Sequence, residues 1–362
     1  MSAFAGVRGP PRRVLRSPFA VVAAKGLSLG DLAPTHTVSA IHRFLLARSP
    51  GSPYVRTYPD PPGSNRGYGS DVEFDGVEIS RPDKELWRQL GVTKRAYLEY
   101  LAVVGDRMLP WLRERPLTLV RAPDGVEAHR YYQKDAPKHT PEWIATVTMR
   151  AESAGRDVRY IVCDDRRTLS WLGNQAAIEF HPALIRTPRL DRPDMMVFDI
   201  DPPSGAFAEA AAVARAVHDV LQAHALPDGL KTSGAKGLHV FVPLERRYAG
   251  DAVRRASFAL AEETLERIPD RATLEFRKSD RKGRVFLDVT RNGGGQTVVA
   301  AYSPRVRPEG TVSFPVAWED LDDVQPGDFT LRTAEALIEG PGPRRWRELE
   351  KVRARLPAAL TR

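Results

Sequence analysis

The run MMVFDID, from Met195 to Asp201, limits what this chain can become more than any other stretch. Side chains alternate faces along a strand, so Met196, Phe198 and Ile200 point one way while Val197, Asp199 and Asp201 point the other. Pro202 and Pro203 stop the strand, and the alanine-rich segment from Pro203 to Leu226 predicts a helix. The result is a pair of carboxylates on one face, with Cα atoms about 6.5 to 7 Å apart. Such a pair can bridge two divalent ions about 3.5 to 4 Å apart, the spacing used in in-line phosphoryl transfer. By itself, such a pair at a strand end is more often a turn or capping device.

The remaining periodicity sets the fold class. Thr93 to Leu112 carries Tyr97, Tyr100, Leu101, Val104, Met108 and Leu109 at three- and four-residue spacings, which predicts an amphipathic helix opened by Thr93 and closed near Pro110. Strands are expected at LTLVRA, HRYYQK, RYIVCD, HVFVPL, TLEFRK and RVFLDV, with a second helix over Val253 to Arg267. Strands and helices in this irregular order predict a mixed α/β or α+β domain rather than a regular doubly wound sheet.

At 362 residues with 42% hydrophobic side chains, the chain can bury a substantial core. Cys163 is the single cysteine, which excludes an internal disulfide and a multi-cysteine zinc site and points to a reducing compartment. No apolar run approaches the roughly 20 residues that span a bilayer, so an intracellular protein without a membrane partner is expected. Most of the formal charge of +8 lies at the front, where residues 1–60 hold eight Lys/Arg against Asp31 and Asp60. A nucleic-acid role for the folded part must therefore rest on particular lysines and arginines. Breakers crowd Ser49 to Ser70, and residues 1–65 are expected to be a basic, Pro/Gly/Arg-rich flexible arm with a short amphipathic helix over Thr37 to Arg48. A DNA-binding arm and a transit peptide are the other readings of this segment. Compact structure is expected over 66–345, then a basic C-terminal helix or tail over 346–362.

Three further motifs carry chemistry. Asp288, in RKGRVFLDVTRN, lies on a strand whose other face is Val285, Leu287 and Val289, so it can sit beside the Asp pair on a neighbouring strand. Three carboxylates with two magnesium or manganese ions make a polymerase- or nuclease-type centre; alone, Asp288 also suits a solvent-facing edge. In KTSGAKGLHVFVPL, Gly234 and Gly237 allow close backbone approach, Ser233 and Lys236 offer a hydroxyl and a charge, and His239 opens a strand. The loop suits nucleotide phosphates without being a P-loop, and a plain glycine hairpin with a core histidine is the competing reading. Arg281, Arg284 and Arg291 surround the third acid, and Arg305 and Arg307, at alternate positions, would share a face of an extended segment and could clamp phosphate oxygens.

Taken in order, VFDIDP, TSGAKGLHVFVPL and RKGRVFLDVTRNGGGQTVVAAYSPR closely resemble the polymerase domain of bacterial ligase D, of the archaeo-eukaryotic primase-polymerase superfamily. The resemblance extends from about Val72 to Leu337 through ISRPDKELW, GVTKRAYLEYL, YYQKDAP and WLGNQAAIEFHP. It implies an α+β fold with mixed and antiparallel sheets, and an RRM-like catalytic module flanked by helices. It also implies a template-directed polymerase that adds NTPs or dNTPs to 3′ ends and fills short gaps in end joining. Asp199, Asp201 and Asp288 match the family's catalytic, metal-binding triad for two divalent cations, Mn2+ or Mg2+. Ser233, Lys236, Gly237 and His239 match its nucleotide-binding motif, with Arg281, Arg305, Arg307 and His181 also at the nucleotide. Lys84 and Lys94 match lysines that grip a downstream 5′-phosphate, Arg121 a DNA-facing arginine, and Tyr132 a phenylalanine that stacks on a template base. The family's usual Phe-Phe is Tyr131-Tyr132 here, which keeps a stacking face. The expected partners are gapped or end-paired DNA, a separate DNA ligase and a Ku-like end-binding protein, in the cytoplasm at the bacterial nucleoid. A primase starting chains de novo and a non-catalytic DNA-end binding module are the alternatives.

Overall fold

The structure is a computed structural model that describes residues 72–151 and 155–361. The arm expected over 1–65, with its helix at 37–48, lies outside the described residues. Two short hairpins come first, β1 (Glu73–Phe74) with β2 (Val77–Glu78) and β3 (Glu85–Trp87) with β4 (Val92–Thr93). Helix α1 (Lys94–Leu112) starts where the sequence predicts, because the Thr93 side chain accepts the Ala96 N–H as an N-cap. It runs on past Pro110, where closure was expected. The lost backbone bond is outweighed by burial of Leu109, Trp111 and Leu112, with Trp111 packed on Trp346 at 4.7 Å between ring centroids.

One sheet is centred on β5 (Pro116–Arg121), which pairs with β9 (Ala177–Pro182) along one edge. Along the other edge it pairs with β6 (Tyr131–Gln133) and β8 (Arg156–Val162), and β7 (Thr146–Ala151) lies beyond β8. Helix α2 (Arg166–Asn174) precedes β9 and is capped by the Asp165 carboxylate.

The second sheet holds the carboxylate strand, β10 (Met195–Asp201), followed by α3 (Phe207–Ala223), β11 (Gly229–Thr232), β12 (Leu238–Pro243), α4 (Gly250–Arg267), β13 (Ala272–Thr273) and β14 (Val285–Asp288). With β15 (Pro315–Val316) the order is β13-β14-β10-β12-β11-β15, antiparallel except for β13 against β14. The stretch β10-α3-β11-β12-α4-β14, in the order β14-β10-β12-β11, is a split βαβ unit of ferredoxin-like type, as expected for an RRM-like module. Met196, Phe198 and Ile200 are fully buried and share one core with Val213, Ala214 and Val217 of α3 and Val253 and Leu260 of α4. The apolar face of β10 is therefore committed, and its carboxylates are left on the other face.

One expected strand and one expected segment differ. Of TLEFRK only Thr273 joins a ladder, because the Glu275 and Phe276 carbonyls accept from the Arg281 guanidinium at 3.1 and 2.9 Å instead. The segment expected as a basic C-terminal helix or tail contributes to the core. Beyond α5 (Ala334–Leu337), helix α6 (Pro341–Leu349) buries Trp346 and Leu349, and Ala354 bridges to Leu244 ahead of α7 (Ala358–Thr361). No helix among the described residues is long and apolar enough to cross a membrane.

Candidate active site

Strand register assembles the acids. On β10, Asp199 lies opposite Asp288 of β14 on one side and His239 of β12 on the other, and Lys231 of β11 lies opposite His239. Directly paired residues share a face, so Asp288, Asp199, His239 and Lys231 form one row across four strands, with Asp201 two residues along β10.

Each carboxylate is held by neighbouring donors. Asp201 sits between Lys236, at 3.0 Å, and Arg281, at 3.4 Å, and the Arg281 guanidinium lies 4.0 Å over the Phe286 ring. Asp288 accepts the Thr290 N–H and hydroxyl at 2.8 and 2.6 Å, with Arg291 at 3.7 Å. His239 Nε2 approaches Asp199 at 3.3 Å. Burial alone would raise the Asp199 carboxyl, but His239, Arg291 and Lys231 outweigh it and hold it below the usual range. Burial, reinforced by Lys231, lowers His239 to about 4 and leaves it neutral.

Among the described residues, no three His, Cys, Asp or Glu side chains converge at metal-ligand spacing. The donor chemistry nevertheless fits hard divalent cations: Asp199, Asp201 and Asp288 offer only oxygens, on one face. Lys236 and Arg281 beside Asp201, and Arg291 beside Asp288, supply positive charge where such ions would.

The glycine loop closes over the end of β10. Ser233 accepts the Ala235 and Gly237 N–H groups at 3.2 Å each, which folds the turn. Gly237 leaves no room for a side chain, since a Cβ there would lie 2.1 Å from the Ile200 carbonyl oxygen. Gly234 has φ +68° and accepts Thr311 through its carbonyl. Arg305 donates to the Ser233 carbonyl at 2.7 Å and pairs with Glu179 at 3.1 Å, while His181 Nε2 meets the same carboxylate at 2.8 Å. Arg307 does not share an extended face with Arg305 as expected: its N–H donates to the Arg305 carbonyl, the chain turns, and Arg307 is left exposed.

Two members were missed in the sequence. Glu179 is buried against His181, Arg305 and the Val306 N–H; burial would raise its carboxyl, but these donors bring it down to about 2. The spacing in EFH, with Glu179 and His181 on one strand face, was the available signal. Lys231 carried no such signal, and burial pushes its amine well below the ordinary value.

Lys84, Lys94 and Arg121 come together elsewhere, in an open pocket of ≈ 220 Å³ that is also lined by Arg81, Asn174 and Gln175. Lys94 donates to the Ser80 carbonyl and to Asn174 Oδ1 at 3.2 Å. Burial, followed by Lys84 and Arg81, lowers its ammonium to about 8. Arg121 donates to the Gln175 carbonyl and to Gln133 Oε1, each at 2.8 Å. Tyr132 projects from the edge strand β6 and is 71% exposed.

Comparison with known proteins agrees with this architecture. The family model "LigD, primase-polymerase domain" matches residues 93–343. The multifunctional non-homologous end joining protein LigD of Pseudomonas aeruginosa is 33% identical over 293 residues, 79% of this chain and 34% of that protein. The bifunctional LigD of Bacillus subtilis is 30% identical over 269 residues, 74% of this chain and 43% of that protein. The chain thus spans less than half the length of these curated relatives. The polymerase domain of Mycobacterium tuberculosis Ligase D, solved in complex with DNA, aligns with a TM-score of 0.71 at 31% identity, over 77% of this chain and 99% of that one. With a family model over most of its length and relatives at this identity, the chain belongs to the LigD primase-polymerase domain family.

Proposed function

We propose that this protein is a template-directed nucleotidyltransferase that adds NTPs or dNTPs to primer 3′-hydroxyls and fills short gaps during DNA end joining. The observation that carries this reading is the row of Asp288, Asp199 and His239 across three adjacent strands, beside the glycine loop at the end of β10. Asp199, Asp201 and Asp288 would hold two divalent cations, Mn2+ or Mg2+. When bound, these supply charge neutralisation and a more acidic 3′-hydroxyl.

The chain's own residues do the positioning. Lys236 and Arg281 flank Asp201 and would set their positive charge beside the triphosphate there. Ser233, Gly237 and His239 present the turn and a neutral imidazole to the nucleotide, with His181 and Arg305 held beside the turn through Glu179. Exposed Arg307 adds charge at the rim. Lys84, Lys94 and Arg121 would take the 5′-phosphate across the gap, and Tyr132 would stack on a template base. Sealing would fall to a DNA ligase, with a Ku-like protein holding the ends. The lysine pocket favours gap filling over de novo priming, since a primase needs no downstream 5′-phosphate.

The test is extension of a primer-template carrying a one- or two-nucleotide gap, with manganese and labelled NTP or dNTP. Extension is expected, and Asp199→Ala or Asp288→Ala should each lower it by roughly a hundredfold or more, with the fold intact by circular dichroism. No product with either nucleotide type overturns the reading. Synthesis from unprimed template would favour a primase, and DNA-end binding without synthesis a bridging module.

A further inference from the structure

Lys231 is fully buried on β11, and among the described residues no acid pairs with it as an ion pair. Its Nζ reaches His239 Nδ1 and Ser313 Oγ, each at 2.7 Å, and Ser313 donates onward to the Thr232 carbonyl. Otherwise it borders a small cavity lined by Trp111, Met195, Phe241 and Trp346. Burying an amine there costs free energy that a methionine of similar length would not cost. Packing therefore does not account for it.

The histidine beside it does. The Asp199 carboxylate only accepts, so His239 Nε2, 3.3 Å away, carries the proton. Lys231 Nζ, a donor 2.7 Å from Nδ1, needs a lone pair to meet it there, so Nδ1 is the nitrogen without a proton. Both ring nitrogens are occupied, and the ring cannot flip or exchange tautomers without breaking both contacts. We propose that Lys231 is a positioning residue that locks His239 in its Nε2–H form, aimed at Asp199 and the substrate. This inference rests on the polymerase reading for its effect on rate, but not for its effect on the imidazole.

The experiment uses the full chain with 15N-labelled histidine. Lys231→Met is expected to melt at the same or a higher temperature than wild type, yet to extend a gapped primer about 10- to 100-fold more slowly, the scale of a misplaced catalytic group. Lys231→Gln, whose amide can donate to Nδ1, should recover most of the rate. By 15N NMR, His239 should stay Nε2–H in Asp199→Ala, because Lys231 still occupies Nδ1, and become a tautomer mixture when Lys231→Met is added. Normal extension by Lys231→Met overturns the proposal, as does a mixture in Asp199→Ala alone. Lys231→Gln and the Asp199→Ala spectrum carry the test if Lys231→Met does not fold. If the wild-type chain makes no product, the polymerase reading falls and the spectra alone decide the role of Lys231.

Discussion

Glu179 ties together more of the candidate site than any residue singled out in the sequence, since His181, Arg305 and the Val306 N–H all meet its carboxylate. Glu179→Gln removes the charge and keeps the shape. It is expected to raise the KM for nucleotide about tenfold with a smaller change in kcat, because Arg305 and His181 lose their anchor while the acids are untouched. Its pH signature has a definite sign. A carboxyl lowered from 4.5 to about 2 stabilises the fold above pH 4.5 and loses that contribution as the pH falls through about 2. The stability gap between wild type and Glu179→Gln, read by urea titration, should therefore be full at neutral pH and close in acid. Lys94 behaves in the opposite direction: lowered to about 8, its ammonium is charged below that pH and lost above it. The preference for a 5′-phosphorylated gap over an unphosphorylated one should weaken from pH 7 to 9, and a preference that holds constant would detach Lys94 from the phosphate.

At the scale of elements, the β11–β12 hairpin shows how backbone geometry shapes a site. Gly237→Ala would drive a Cβ into the Ile200 carbonyl at 2.1 Å, so the turn must lift off the end of β10. Both activity and the urea midpoint should fall, whereas Gly283→Ala, at a position with open space, should cost only its positive φ. The expected elements held where period and capping agreed, as at Thr93 and along β10. They failed where distant groups intervened. Arg281 captured the carbonyls that would have extended β13, and packing on Trp346 carried α1 past its proline.

For the whole molecule, helix α6 joins the core that carries the sheet of the candidate site. Trp346 fills the space between Trp111 of α1 and Phe241 of β12, at 4.7 and 5.6 Å between centroids. Trp346→Ala should destabilise the fold by about 3–5 kcal/mol, the usual cost of deleting a buried tryptophan, visible as a lower denaturant midpoint. The two sheets are joined in the same core. Ala300 N–H donates to the Phe180 carbonyl at 2.8 Å, and buried Arg115, just ahead of β5, pairs with Asp194, next to β10, at 2.7 Å.

By itself the sequence determined the alternation that puts Asp199 and Asp201 on one face, the helix that follows them and the glycine turn, because strand and helix periods and glycine's freedom are local properties. Only the tertiary structure decided that Asp288 pairs with Asp199 and that Lys231, Glu179 and Asn174 hold His239, His181 and Lys94. A one-residue slip in register would send every side chain of a strand to the opposite face, and no local period records which distant strand lies alongside.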